Sequence, residues 1–353
     1  MTKPKATTVG NFSRRQVLKA AGTFMVSAPF ILKYRAASAS DPLVMVSWGG
    51  RYQELLESIV AKPFQEETNI PVKIVSGPDI AKAKGQVMSN NLEWDIIDSS
   101  GPQIMSGEAQ GLWEQLDTGI IDTSGLTVPA TATAAPFLLY AGGIAYMPGR
   151  TPEAPQTFTD FWDIEKFPGR RGLRNRAHQN LEMALLADGV SPKDMYPLDV
   201  DRAFASLEKI KPHITQWIAQ TPQTISLLQS NEIDYVFTFN GRVATAKAAG
   251  MDIEFSTKQT LLLKEYVAVL RGSKKRESAM QFISYALRPE VQAKFSTAYY
   301  SIPGRQSALP MVDPAVRADL PESDNPLTLV LDDKWWSENY SKLDRRFKEW
   351  VAT

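Results

Sequence analysis

The stretch YVFTFNGRVATAKAAG, residues 235–250, carries an arginine where helix electrostatics disfavours one. Tyr235 to Phe239 read as a buried strand, Asn240-Gly241 as the turn after it, and Val243 to Ala249 as an alanine-rich helix. Arg242 therefore falls in the first helical turn, at the positive end of the macrodipole, where a cation costs roughly 0.3–1 kcal/mol. The placement makes chemical sense if the guanidinium and the neighbouring helix amides receive one anion, since a carboxylate fits the guanidinium fork. The plainer alternative is a surface ion pair with Asp234 or Asp252.

Two other clusters invite a ligand. Trp48-Gly49-Gly50, followed by Arg51, closes the apolar run LVMVS, and Ser99-Ser100 closes WDIIDSS. Both sit at carboxyl ends of strands, the edge at which open α/β sheets bind ligands. Glycines there leave backbone amides accessible. Trp48 alone would also fit a core, and Glu265, which opens the strand EYVAVLRG (265–272), would also fit a solvated strand end.

Several chemistries are excluded or disfavoured. Cysteine is absent, which removes disulfides, thiolate metal sites and cysteine nucleophiles. Only His178 and His213 are present, in unrelated places, so a multi-histidine metal site is not expected. Adjacent Tyr299-Tyr300 suggest a phenolate pair for ferric ion, but iron wants further oxygen or histidine ligands. Core or wall tyrosines are the preferred reading, and no metal or cofactor is expected. There is no phosphate loop, no nucleophile elbow and no H-E-x-x-H. An exported enzyme stays only as an alternative.

The positioning elements alternate. Strands at LVMVS, VKIVSG (72–77) and WDIIDSS (94–100) enclose two amphipathic helices, which predicts a parallel α/β sheet. FLLYAGGIAYMPG (137–149) predicts a strand crossing with a glycine hinge at Gly142-Gly143. HQNLEMALLADG and VDRAFASLEKIKP predict helices, and TPQTISLLQSNE a helix capped by Thr221 with Pro222 at its first position. The run RRGLRNR (170–176) has a solvated face as its plain reading, and the tryptophan-rich last thirty or so residues predict a C-terminal helix.

The chain has 353 residues, 43% hydrophobic and 22% charged, enough for two domains. Its N-terminus is read as a removable export signal: Ser13-Arg14-Arg15, an apolar stretch Ala20–Leu32 too short to span a bilayer, then Ala37-Ser38-Ala39. The pattern resembles a twin-arginine signal, cleaved near Ala39 and addressed to a bacterial periplasm. Residues 1–39 hold seven basic side chains and no acid, so the mature chain has 32 basic against 39 acidic residues, a net of −7. An acidic exported chain is a poor partner for nucleic acid.

SWGGRYQE, WDIIDSS, GGIAYMP, FPGRRGL, FNGRVA, EYVAVLRGS, AMQFISYALRPEVQAKF and YYSIPGR occur in that order. In this ordered set the mature chain resembles the periplasmic solute-binding proteins of ABC transporters, in the spermidine/putrescine branch. The resemblance implies an α/β type II fold: two lobes joined by two hinge crossings, a central ligand cleft, and delivery of a small amine to a membrane permease without catalysis. The implied lobes are 40–142 with 266–305 and 143–265 with 306–353; the second hinge lies near Lys264–Val267. By the same resemblance Trp48, Phe239 and Tyr300 are aromatic walls, Ser100 a lining hydroxyl and Glu265 the grip on an ammonium. Where the branch implies further carboxylates, this chain has Arg176 and Gln179. One acidic pole is kept and the other lost. With Arg242 as the opposite pole, the expected ligand is a zwitterion such as a γ-aminobutyrate-like acid or an amino-acid conjugate; putrescine and spermidine remain open.

Overall fold

The computed structural model describes residues 41–150, 153–322 and 325–353. The expected export signal and its cleavage site lie outside the described residues. β1 (Leu43–Ser47) buries Leu43, Met45 and Val46, ends on the buried hydroxyl of Ser47, and leaves through Gly50, whose φ of 68° favours glycine. It enters α1 (Arg51–Leu55), a π-helical turn (Leu56–Ala61) and α2 (Lys62–Thr68), which Asn69 ends in the left-handed conformation. β2 (Val72–Ser76), α3 (Ile80–Ser89), β3 (Ile96–Ser100) and α4 (Gly101–Ala109) follow. β2 and β3 flank β1 in parallel, Leu43 opposite Val72 and Met45 opposite Ile96, as the alternation predicts.

β4 (Ala134–Tyr146) then crosses the molecule. Beyond it lie α5 (Phe158–Trp162), β5 (Arg171–Arg174), α6 (Asn180–Ala187), α7 (Val200–Ile210), β6 (Ile214–Ile218), α8 (Gln223–Gln229), β7 (Tyr235–Phe239), α9 (Asn240–Ala248) and β8 (Glu254–Phe255). β9 (Leu261–Val269) crosses back to α10 (Arg276–Ala286), α11 (Pro289–Tyr299), β10 (Ile302–Pro303) and α12 (Pro314–Ala318). β11 (Leu329–Val330) and α13 (Asp333–Ala352) close the chain. The main sheet path is β2-β1-β3-β9-β4-β7-β5-β6, with the two crossing strands antiparallel to each other at its centre.

Two large apolar clusters lie on either side of the crossings. Leu43, Phe64, Phe137, Phe282 and Phe295 anchor one; Phe158, Phe161, Phe237, Trp336 and Phe347 anchor the other. Each such aromatic, fully buried, contributes about 1.5–3 kcal/mol. The arrangement is the two-lobe α/β architecture expected from the sequence. No helix among the described residues is long and apolar enough to cross a membrane.

Gly142 and Gly143 lie within the continuous crossing strand β4, where a Cβ on either would strike the rings of Phe237 and Phe255. Local expectations are corrected in three places. Asn240-Gly241 is not a turn but the start of α9, where a Cβ at Gly241 would lie 2.8 Å from the Tyr299 carbonyl oxygen. Thr221 does not cap α8; its hydroxyl accepts a hydrogen bond from Arg174 Nη1 at 2.5 Å, and Pro222 takes the cap position. The basic run 170–176 is not a solvated face. Arg171 and Arg174 are buried, their guanidinium groups donating to the carbonyls of Phe161, Gly169, Ile218 and Ala219.

Candidate functional site

Between the two apolar clusters lies a cavity of about 1420 Å³. The carboxyl ends of β1, β3 and β7 open into it, so α1, α4 and α9 all begin at its wall. Of the ten residues singled out from the sequence, nine line it: Trp48, Gly49, Arg51, Ser100, Arg176, Gln179, Phe239, Arg242 and Glu265. Tyr300 does not. It caps α11 in the left-handed conformation (φ 54°), and its ring packs against the Ala293, Ala308, Val312 and Val316 cluster. Its neighbour Tyr299 takes the place on the cavity wall. The two phenols therefore face different surroundings, which removes the geometric basis of a ferric phenolate pair. Among the described residues no group of three or more His, Asp or Glu is arranged to hold a metal ion.

The acidic pole is built on the sheet. Glu265 stands on β9 opposite Ser100 of β3 and Leu138 of β4, and is 3% exposed. The Trp48 indole, 37% exposed at the cavity lip, donates its Nε1–H to Glu265 Oε1. Burial pushes the Glu265 carboxyl well above the usual carboxylate range, the charge of Asp98 adds to this, and the Trp48 hydrogen bond opposes it. Asp98, wholly buried, accepts a 2.6 Å hydrogen bond from Ser47 Oγ and is pushed up by burial to about 7. Neither carboxylate has an ion-pair partner among the described residues. Asp98, the second of two aspartates in WDIIDSS, was not singled out from the sequence; its place directly after Ile96-Ile97 inside the strand was the available signal.

The basic pole is built on helix starts. Arg242 is exposed in the first turn of α9 and makes no ion pair or hydrogen bond among the described residues. Of its two expected alternative partners, Asp234 is held by Arg170 at 2.9 Å, and Asp252, which also lines the cavity, makes no ion pair with it among the described residues. Asn240 fixes the start of α9 at the junction: its Oδ1 accepts from the Ala141 amide of β4 at 3.1 Å, and its Nδ2 donates to the Tyr300 carbonyl at 2.6 Å. Arg176 sits before α6 in a segment held by Asn180, whose Nδ2 donates to the Arg174 and Arg176 carbonyls. Arg176 Nε is buried without a partner. Gln179 holds a φ of 79° while its amide donates to Glu182 Oε2 at 3.0 Å, and its Oε1 is unpartnered. Burial lowers Arg174 to about 9, with the charges of Arg176 and Arg242 adding, so a third guanidinium lies behind the two on the cavity wall. Arg51, at the opposite lip, pairs with Glu54 at 3.3 Å.

Aromatic surfaces join the poles. Phe239 packs edge-on against Tyr140, ring centroids 5.3 Å apart, and both line the cavity. Tyr299 lies between the poles: burial and the Glu265 charge raise its hydroxyl to about 12, and Arg242 pulls it back. Sequence reasoning missed Tyr140, although it follows Leu138 by two residues on the same strand and so shares its face. It also missed His178, whose buried ring is lowered to about 3 by burial and then by Arg176, and which packs on Trp336 of α13. No sequence signal pointed to that contact.

Comparison with known proteins agrees with this geometry. The family model described as "Bacterial extracellular solute-binding protein" matches residues 60–322. The "Gamma-aminobutyric acid-binding protein" of Pseudomonas aeruginosa is 31% identical over 331 residues, covering 90% of this chain and 93% of that protein. The solved "Atu4243-GABA receptor" superposes with a TM-score of 0.83 at 30% identity, covering 89% of this chain and 98% of the other. The "Spermidine/putrescine-binding periplasmic protein" of Escherichia coli is 24% identical over 171 residues, 48% of each chain.

Proposed function

The chain belongs to the bacterial extracellular solute-binding protein family, and we propose that its ligand is a short zwitterion of the ω-amino acid type, such as γ-aminobutyrate. One observation carries this reading. A single cavity is lined on one side by a buried, cation-free Glu265 and on the other by Arg242 at a helix start with no counter-ion among the described residues. The ligand's ammonium completes the first pole and its carboxylate the second, with Trp48, Phe239, Tyr140 and Tyr299 covering the methylenes between. A diamine would leave Arg242 facing a like charge. The relatives named for γ-aminobutyrate share nearly the whole chain, which supports the same choice.

In this reading the protein is a carrier and not an enzyme. It closes its lobes about β4 and β9, expels water from the charge contacts, and hands the ligand to an ABC permease from the periplasm. It reaches the periplasm by the twin-arginine route, with cleavage near Ala39. The lobe limits are 40–142 with 266–305 and 143–265 with 306–353, adjusted at one point. Residues 306–322 join the first lobe, because Ala308, Val312 and Val316 pack against Ala293 of α11.

The test is a thermal-shift screen of residues 40–353 with γ-aminobutyrate, 5-aminovalerate, putrescine, spermidine and the common amino acids. A ligand at a hundred times its Kd stabilises by about 2.7 kcal/mol, a readily visible shift. Stabilisation by the ω-amino acids and not by the diamines is expected; the reverse order returns the chain to the polyamine class.

A further inference from the structure

The acidic pole holds more negative charge than one ammonium requires. In the antiparallel β3–β9 register Asp98 faces Val267 and Ser100 faces Glu265, so Asp98 and Glu265 share one face of the sheet on diagonal positions. Such positions lie roughly 7–8 Å apart, less between side-chain ends. Ser47 Oγ donates to Asp98 Oδ2 at 2.6 Å and the buried Tyr52 hydroxyl beside the carboxylate also favours its ionised form, but neither neighbour carries a charge.

The surroundings offer no compensating cation. α1 contributes Tyr52, α11 Tyr299 and β4 Tyr140, none of them charged at neutral pH. α13 contributes Asp333, which is paired with Lys264 at 2.9 Å. Arg242 of α9 and Arg176 before α6 bear on Tyr299 and Tyr140 but pair with neither carboxylate. Two ionised carboxylates in one buried, cation-free pocket repel each other, and retaining a proton on the pair relieves the repulsion.

We propose that Asp98 and Glu265 together hold one proton in the empty cleft and release it to solvent when the ligand's ammonium group docks. The inference rests on the reading of Glu265 as the ammonium pole. On docking, the O–H bond of the pair breaks and the proton leaves to the buffer. The pair goes from one negative charge to two, and the ammonium brings one positive charge, so the net charge of the pole is conserved. Asp98 is thus a positioning residue that sets the protonation of Glu265 without reaching the cavity wall. Burial raises both carboxyl groups in the free protein, which places the exchange in the neutral range. Affinity for an ammonium ligand then rises with pH there, by up to about tenfold per unit. A zwitterion and an uncharged analogue of it are separated by this exchange, because only the former displaces the proton.

The first measurement needs no ligand: carboxyl ¹³C titration of the wild-type protein, Asp98→Asn and Glu265→Gln. The expected result is a coupled step near neutral pH in the wild type and, in each variant, a surviving carboxyl that titrates lower by about one unit or more. Two carboxyls already ionised at about pH 5, or variants that leave the survivor's midpoint unchanged, overturn the proposal. The second is calorimetry of γ-aminobutyrate binding at pH 7 in two buffers of different ionisation enthalpy, where release of roughly one proton is expected in the wild type and close to none in Asp98→Asn. Binding without proton release removes the exchange and leaves the zwitterion reading intact. Coupled titration with no γ-aminobutyrate binding removes the zwitterion reading and leaves the carboxyl pair intact.

Discussion

The two walls of the cleft solve opposite electrostatic problems. On the β1–β3–β9 side, Asp98 and Glu265 are buried at 0% and 3% exposure and raised by desolvation; on the α9 side Arg242 is exposed. A carboxyl group stripped of water can take a proton and become neutral. An arginine cannot, because its guanidinium stays charged at any physiological pH, so it keeps its water until a partner arrives. The difference sets a wall of buried carboxyl groups, hydroxyls and indole against one where Arg242 stays solvated at the start of α9. It also means that ligand docking alters protonation on one side and hydration on the other.

Mutations that erase one wall at a time test this contrast. The largest effect is expected for Arg242→Ala, which leaves a ligand carboxylate unpaired in a closed cleft and costs about 2–4 kcal/mol of γ-aminobutyrate affinity by calorimetry. Putrescine binding should hold or improve in the same variant; a matched loss of both ligands would assign Arg242 a structural role. Glu265→Gln should cost about 1–3 kcal/mol of affinity for any ammonium ligand while stabilising the empty protein at alkaline pH. The sign follows from the raised folded-state values of Asp98 and Glu265. Between the ordinary carboxylate range and about 7 the native state binds more protons than the unfolded chain, so unliganded stability falls as pH rises there. Melting temperatures at pH 6 and pH 8 should differ in that direction in the wild type, and the slope should flatten in Glu265→Gln by about 2–4 °C per kcal/mol relieved. Trp48→Ala removes the Glu265 hydrogen bond and a cation–π face, a loss of about 0.5–1 kcal/mol in binding. Tyr300→Phe should change affinity by less than about 0.5 kcal/mol, because its ring lies in the Ala293 cluster and not on the cavity wall.

Much of the cleft was legible because strand ends announce it. An apolar run that stops at Trp48-Gly49-Gly50, at Ser100 or at Phe239 marks a carboxyl edge, and Arg242 stands out because its helix position disfavours it. What stayed hidden depends on how elements end and what covers them. Tyr299 and Tyr300 are neighbours in the sequence, and past the left-handed termination of α11 only Tyr299 lines the cavity. The arginines of RRGLRNR read as solvated until β5 places Arg171 and Arg174 under α5 and the β6–α8 connection, where backbone carbonyls satisfy their donors. His178 belongs to the cavity because Trp336, more than a hundred residues later, packs on its ring. Such long-range cover has no local signature.

Two poles of opposite sign in one cavity should be visible in calorimetric titration of the wild-type mature protein with γ-aminobutyrate beside its single-pole analogues, butyrate and n-butylamine, and beside putrescine. γ-Aminobutyrate should bind more tightly than all three, since it alone satisfies both Glu265 and Arg242. Equal affinity for n-butylamine, or tighter binding of putrescine, would rule out the two-pole site.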